Sequence, residues 1–173
     1  GAFMKSSMEE LASHCLERLN PDFAKQVQSG DIVVGGRNFG AGSSREQAVQ
    51  SLLQLGVTTV IAESFAGIFL RNAFNLGLLV LECEERDKIR EGDLILPDPK
   101  KGMVSNQITG EQLSCKKVPE FLCRWARQCR VDSKKIDKRH PIEVLRHIVA
   151  KPLIESAIVD AVLDIVAGWG PGK

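Results

Sequence analysis

Three short apolar runs constrain the fold more than anything else in the chain: DIVVGG from Asp31 to Gly36, TTVIAES from Thr58 to Ser64 and LLVLECE from Leu78 to Glu84. β-Branched residues bounded by Gly and polar residues read as buried strands. Between them lie two stretches of helical period. In the first, Val49, Leu52 and Leu53 fall on one side between Arg45 and Leu55, with Gly56 placed to end the helix; in the second, AGIFLRNAFNLG is closed by Gly77. Strand, helix, strand, helix, strand with short connections predicts a parallel sheet with crossover helices. Open sheets of this kind bind ligands beyond the carboxyl ends of their strands, and the segment leaving the first strand is NFGAGSSREQA, Asn38 to Ala48.

The flanking segments complete the expected architecture. Ser7 and Glu10 have capping-box spacing, and Met8, Leu11, Ala12, Cys15, Leu16 and Leu19 continue at helical intervals, predicting an amphipathic helix that ends near Asn20-Pro21. After Glu84, the pieces EGDLILPDP, GMVSNQITG and EQLSCKK, divided by Gly and Pro, predict an antiparallel or barrel-like β finish. VPEFLCRWARQ reads as a short helix, RVDSKKIDKRHP as a polar linker, and HPIEVLRHIVA and PLIESAIVDAVLDIVAG as two further helices. The last carries a stripe of Leu153, Ile154, Ala157, Ile158, Ala161, Val162 and Ile165 opposite Glu155, Asp160 and Asp164, a face that packs on the chain's own core or mediates self-association through the C-terminal helices. The division expected is one domain over 1–129 and a helical extension over 130–173.

Composition excludes several classes of function. The 23 basic and 22 acidic residues leave a formal charge of +1, so no broad field attracts nucleic acid or an anionic membrane, and anion recognition has to be local. No apolar run approaches the roughly 20 residues needed to span a bilayer, and GAFMKSS has no signal-peptide core. Five cysteines, Cys15, Cys83, Cys115, Cys123 and Cys129, form no C-x-x-C pair or zinc-type array with the histidines, and read as ordinary thiols of a reducing compartment. A metal site within the chain is not expected, and the expected location is cytoplasmic, or an organelle matrix in a eukaryote. His14, His140 and His147 lie in helical or linker segments without a surrounding motif and read as structural or surface groups.

The chemistry concentrates in NFGAGSSREQA. Gly40 and Gly42 permit a tight turn with exposed N–H groups, Ser44 and Gln47 have capping-box spacing, and Ser43 then precedes the positive end of a helix. A nucleophilic serine needs a histidine base oriented by a carboxylate, and none is marked. A Walker loop needs Lys before the Ser/Thr, whereas Arg45 follows the serines here. Two readings stay open: a simple anion-binding turn, and Ser43 acting as an alkoxide base. The second requires oriented N–H donors, a helix origin and a guanidinium around the oxygen, and suits proton removal from carbon next to a carboxylate held by Arg45.

NFGAGSSREQA followed by VIAESFAGIFLRNAFNLGLLVLE resembles the small subunit, or swivel domain, of the aconitase superfamily, and within it the small subunit of 3-isopropylmalate dehydratase, over about Phe3 to Leu122. The resemblance implies a swivelling β/β/α-type α/β domain with a partly parallel sheet. It implies a hydro-lyase that isomerises a small malate-type hydroxy acid by dehydration and rehydration, with a [4Fe-4S] cluster carried by a separate large subunit in a heterodimer or higher assembly. Carried over by position, Ser43 is the catalytic base, Ser44 and Arg45 contact a substrate carboxylate, and Phe3 and Met4, in the loop that reads the substrate's variable group, favour an apolar substituent such as isopropyl, with Lys5 beside them.

Three departures accompany the likeness. The family usually places two strands and an Asp-Thr-Asp turn ahead of that loop and this sequence starts after them, so an incomplete sheet is expected; Gly67 stands where SFARIF has arginine; and Ala41-Gly42 replaces a common Cys-Gly before the serines. Alternative readings are a non-catalytic assembly or regulatory module on the same fold, a homoaconitase-like or methyl-substituted malate dehydratase, and a stand-alone phosphate or nucleotide binder.

Overall fold

The computed structural model describes residues 7–17, 19–42 and 45–124, together with the backbone of Ile148–Val149. The three apolar runs form the expected parallel strands: β1 (Ile32–Gly35), β2 (Thr59–Ala62) and β3 (Leu79–Glu82), in register with Ile32 opposite Thr59 and Thr59 opposite Leu79. Two crossover helices join them, α3 (Gln47–Gln54) and α4 (Gly67–Leu76). Before β1 come α1 (Met8–Ser13) and the single turn α2 (Phe23–Gln26).

Alternation along the strands divides the interior into two cores. Val33, Val60, Ala62 and Val80 point to the layer of α1, α3 and α4, where they meet Val49, Leu52, Phe69 and Ala73. Ile32, Val34, Ile61 and Leu81 point the other way, against Ile95, Val104, Leu113 and Val118. Ile95, Val104 and Leu113 belong to a second sheet, β4 (Ile95–Asp98), β5 (Met103–Asn106) and β6 (Gln112–Ser114), an antiparallel meander in the order β4-β5-β6, and Val118 follows it. The parallel sheet is therefore apolar on both faces because it is covered on both. The barrel-like closure expected of this finish is not formed by the described residues, whose second sheet is open; residues 120–124 turn helical, as expected of VPEFLCRWARQ.

The cap of α1 is as expected, Ser7 Oγ accepting from the Glu10 N–H at 3.2 Å, but the helix stops at Ser13 rather than near Asn20. Ser13 bonds back to the Glu10 carbonyl at 2.7 Å, tighter i→i−3 bonds follow, and Leu16 takes a positive φ of 56°. Those turns still deliver Cys15 and Leu16 to the helical core, so the periodic apolar pattern outlasts the helix. At the end of α3, Gly56 adopts φ 87° while the Val57 N–H reaches the Leu52 carbonyl, a left-handed stop that also lets the backbone pass within van der Waals range of Ser29.

Ile148 and Val149, expected within a helix, instead form a two-residue strand β7 paired parallel to β1, giving the order β3-β2-β1-β7. Both are β-branched and β1 offers an unpaired edge, so the ladder wins locally. The remainder of 130–173, with the expected two-helix extension and its apolar stripe, lies outside the described residues, as do His140 and His147.

Candidate active site

The segment from Asn38 leaves the carboxyl end of β1, and its shape is set by the segment leaving β2 beside it. The Asn38 N–H donates to Ser64 Oγ at 2.8 Å, the Phe39 N–H to the Ser64 carbonyl at 2.9 Å, and the Ala66 N–H to the Phe39 carbonyl at 2.9 Å. Phe39 and Phe65 thereby form an isolated parallel bridge beyond the strand ends. Gly35 pairs with Ala62, so β1 takes four residues to reach that bridge where β2 takes three; the extra residue is absorbed at Asn38, whose φ is 56°. Asparagine tolerates this left-handed conformation better than most residues.

An aromatic floor underlies the turn. Phe39 meets Phe65 and Phe69 edge to face at centroid distances of 5.9 and 5.2 Å, and Phe65 stacks on Phe69 at 6.2 Å. Gly40 crosses this floor at φ 80°, and a Cβ there would lie 2.3 Å from Phe69 Cγ. Of the two loop glycines expected from the sequence, Gly40 is thus required by both its conformation and its contact; Gly42 lies in the turn that follows. The Ala41 N–H closes onto the Asn38 carbonyl at 3.1 Å.

Arg45 is exposed at the start of the next turn, and its carbonyl accepts from the Ala48 N–H at 3.4 Å. Helix α3 begins at Gln47 with Glu46 as its N-cap residue and no side-chain cap on it, two residues later than the periodicity placed it. Ser43 and Ser44, and with Ser44 the expected capping box, lie outside the described residues, as do Phe3 and Met4. The structure therefore brings Gly40, Gly42 and Arg45 to the carboxyl edge of β1, on the strand–turn–helix path expected of them.

Sequence reasoning missed the groups that brace this edge. Arg37, after β1, donates through Nε and Nη2 to Glu63 Oε1 at 3.0 and 2.8 Å; Arg86, beyond β3, lies 3.9 Å from Glu63 Oε2 and 3.0 Å from Asp87. Glu63 thus links the exits of β1, β2 and β3. The Arg86 side chain is only 14 % exposed and its Nε is buried without a hydrogen-bond partner, a costly arrangement retained at the same edge as the turn. Ser64 and Glu63 sit just past a strand end, as Asn38 does; that shared position was the available signal. His14, by contrast, is exposed at the end of α1 with Nδ1 2.8 Å from Glu17, a surface role as expected.

Among the described residues no group of three His, Cys, Asp or Glu side chains could hold a metal ion, and no helix is long and apolar enough to cross a membrane.

A parallel βαβαβ unit backed by an antiparallel meander, with a glycine turn at the exit of its first strand, defines the class, and the Aconitase C-terminal domain family matches residues 10–86. The chain is 53% identical over 114 residues to the 3-isopropylmalate dehydratase small subunit 1 of Archaeoglobus fulgidus, covering 66% of this chain and 71% of that one. It is 47% identical over 119 residues to the small subunit 1 of Thermotoga maritima, covering 69% and 72%. The solved structure of 3-isopropylmalate dehydratase from Methanocaldococcus jannaschii superposes with a TM-score of 0.63 at 40% identity, covering 67% of this chain and 69% of the other. This chain belongs to the family of 3-isopropylmalate dehydratase small subunits.

Proposed function

We propose that the chain is the small subunit of a hydro-lyase that isomerises 3-isopropylmalate or a close malate homologue by dehydration and rehydration; its relatives are named as small subunits of 3-isopropylmalate dehydratase. The observation that carries this reading is family membership at 53% identity combined with a glycine turn held at the exit of β1, where the paired serines and Arg45 of the resemblance follow at once. Ser43 is the base that takes the proton from carbon next to a carboxylate; loss of the neighbouring hydroxyl as water leaves the unsaturated acid, and re-addition at the adjacent carbon completes the isomerisation. Ser44 and Arg45 hold the carboxylate, Arg45 by a fixed pair of N–H donors. Phe3 and Met4 meet the apolar substituent, and Gly40 and Gly42 let the backbone approach.

The [4Fe-4S] group is assigned to a large-subunit partner, as the family resemblance implies, and the site is complete only in the assembly. The expected location is cytoplasmic, or an organelle matrix in a eukaryote. The test mixes the chain with a cluster-loaded large subunit and follows absorbance of the unsaturated acid. Ser43→Ala is expected to lower turnover by about 10²- to 10⁴-fold with assembly intact, the range for loss of a positioned base. Undiminished turnover in Ser43→Ala, or an assembled wild-type complex without turnover, overturns the reading, and the latter outcome favours a non-catalytic module.

A further inference from the structure

The two sheets meet at a pair of thiols that no dehydration step uses. Cys83 follows β3 at its carboxyl end and is fully buried, while Cys115 follows β6, is half-buried and packs against the same core. Three bonds hold these segments side by side. The Lys116 N–H donates to the Glu82 carbonyl at 2.8 Å, the Ser114 N–H to Glu85 Oε2 at 3.0 Å, and the Cys83 thiol to the Ser114 carbonyl at 3.4 Å. In this arrangement the Cys83 thiol lies against the peptide that carries Cys115, and both side chains pack in the same core between the sheets. The neighbouring Cys115 side chain, helped by the Glu85 backbone, pulls Cys83 below the ordinary thiol range against the effect of burial, and the Cys83 side chain together with burial pushes Cys115 up. Cys15, in the helical core on the other side of the parallel sheet, shows what burial does without such a neighbour: its thiol is pushed up to about 12.

We propose that Cys83 and Cys115 form a reversible intramolecular disulfide, a modification site for peroxides that fastens the antiparallel sheet to the carboxyl edge of the parallel one. Hydrogen peroxide enters from the half-buried Cys115 side. The thiolate attacks one peroxide oxygen and the O–O bond breaks, leaving a sulfenic acid and a hydroxide that is protonated to water. The second sulfur then attacks the sulfenic sulfur, the S–O bond breaks, and a second water departs with the remaining thiol proton. Two thiols are oxidised and one peroxide is reduced to two waters. A dithiol reductant reverses the bond by exchange. The proposal is independent of the dehydratase reading.

The test exposes the full-length chain to hydrogen peroxide, alkylates the remaining thiols and digests with trypsin. The expected product is peptide 72–86 linked to peptide 102–116, lost on treatment with dithiothreitol and absent from Cys115→Ser. The linked product is expected to fall at least about tenfold, relative to other pairings, when oxidation is done in urea, because the pairing depends on folded proximity. Recovery of Cys83 and Cys115 as free alkylated thiols, their separate oxidation to sulfinic acids, or a native-state disulfide to Cys15, Cys123 or Cys129 overturns it.

Discussion

On its helical face the parallel sheet is backed by rings and glycines, with Phe39, Phe65 and Phe69 packed under Gly40; on its other face it is backed by aliphatic side chains, the thiols of Cys83, Cys115 and Cys123, and a buried polar lock. That lock joins Asp93 to Asn106: Asp93 Oδ2 accepts from Asn106 Nδ2 and from the Arg90 N–H, both at 2.8 Å, while Asn106 Oδ1 accepts from the N–H groups of Ile108 and Thr109. The lock fixes turns remote from the candidate site. The aromatic floor fixes the backbone of Phe39 and Gly40 at the exit of β1. The contrast teaches that one face is shaped for the site and the other for holding the two layers together.

Substitutions can break that contrast. The largest effect is expected at the floor: Phe69→Ala removes a buried ring and should cost about 3–5 kcal/mol in denaturant unfolding. Gly40→Ala meets both the positive φ and the Phe69 ring, and about 2–4 kcal/mol is expected, together with a loss of turnover in the assembled enzyme. Combined, the two should cost less than the sum of the singles, since the smaller side chain relieves the contact; strict additivity in the double-mutant cycle would show that ring and glycine are not coupled. On the opposite face, Asn106→Ala strips Asp93 of a donor and should cost about 1–3 kcal/mol while leaving turnover per folded molecule unchanged. Equal loss of turnover there would erase the distinction.

A smaller effect is pH-dependent. Lys88 and the Ser114 N–H hold the Glu85 carboxyl below the usual range. A depressed folded-state pKa means that the unfolded chain binds the proton more readily, so this contribution is present above the ordinary glutamate pKa and is lost as pH falls through the folded value. Glu85→Gln should therefore lower Tm at pH 7 and lower it less at pH 3, as thermal melts at the two pH values will report. The smallest change has the opposite sign. Gly67 opens α4 with nothing within 4 Å of where a Cβ would stand, so Gly67→Ala should stabilise by about 0.5–1 kcal/mol, and Gly67→Arg should fold normally.

The parallel strands and both crossover helices were legible because each apolar run is bounded by glycine or polar residues and the periods between them are clean. The path to the turn was legible as well, from Gly40 and its place after β1. What escaped sequence reasoning lay between segments. Ser64 acts through a backbone N–H of another loop, Glu63 through two arginines on either side of it, and Cys83 finds Cys115 only because two sheets stack. The overlong first helix had a different cause: Leu16 keeps its helical spacing and its burial after the backbone has left the helix, so periodicity alone could not show where the helix ends. The late start of α3 follows from its being entered through a turn at Arg45–Glu46.

The unequal counts leading from β1 and β2 to the Phe39–Phe65 bridge carry a consequence for how this enzyme tolerates insertions and deletions. Trimming a single amino acid from 36–38 would make the two rails the same length and swing the backbone downstream by half a pleat, carrying Gly40 off the Phe69 ring that it crosses. Indels in that short bend should therefore be far more damaging than indels of the same size in the exposed hairpin tips of the meander.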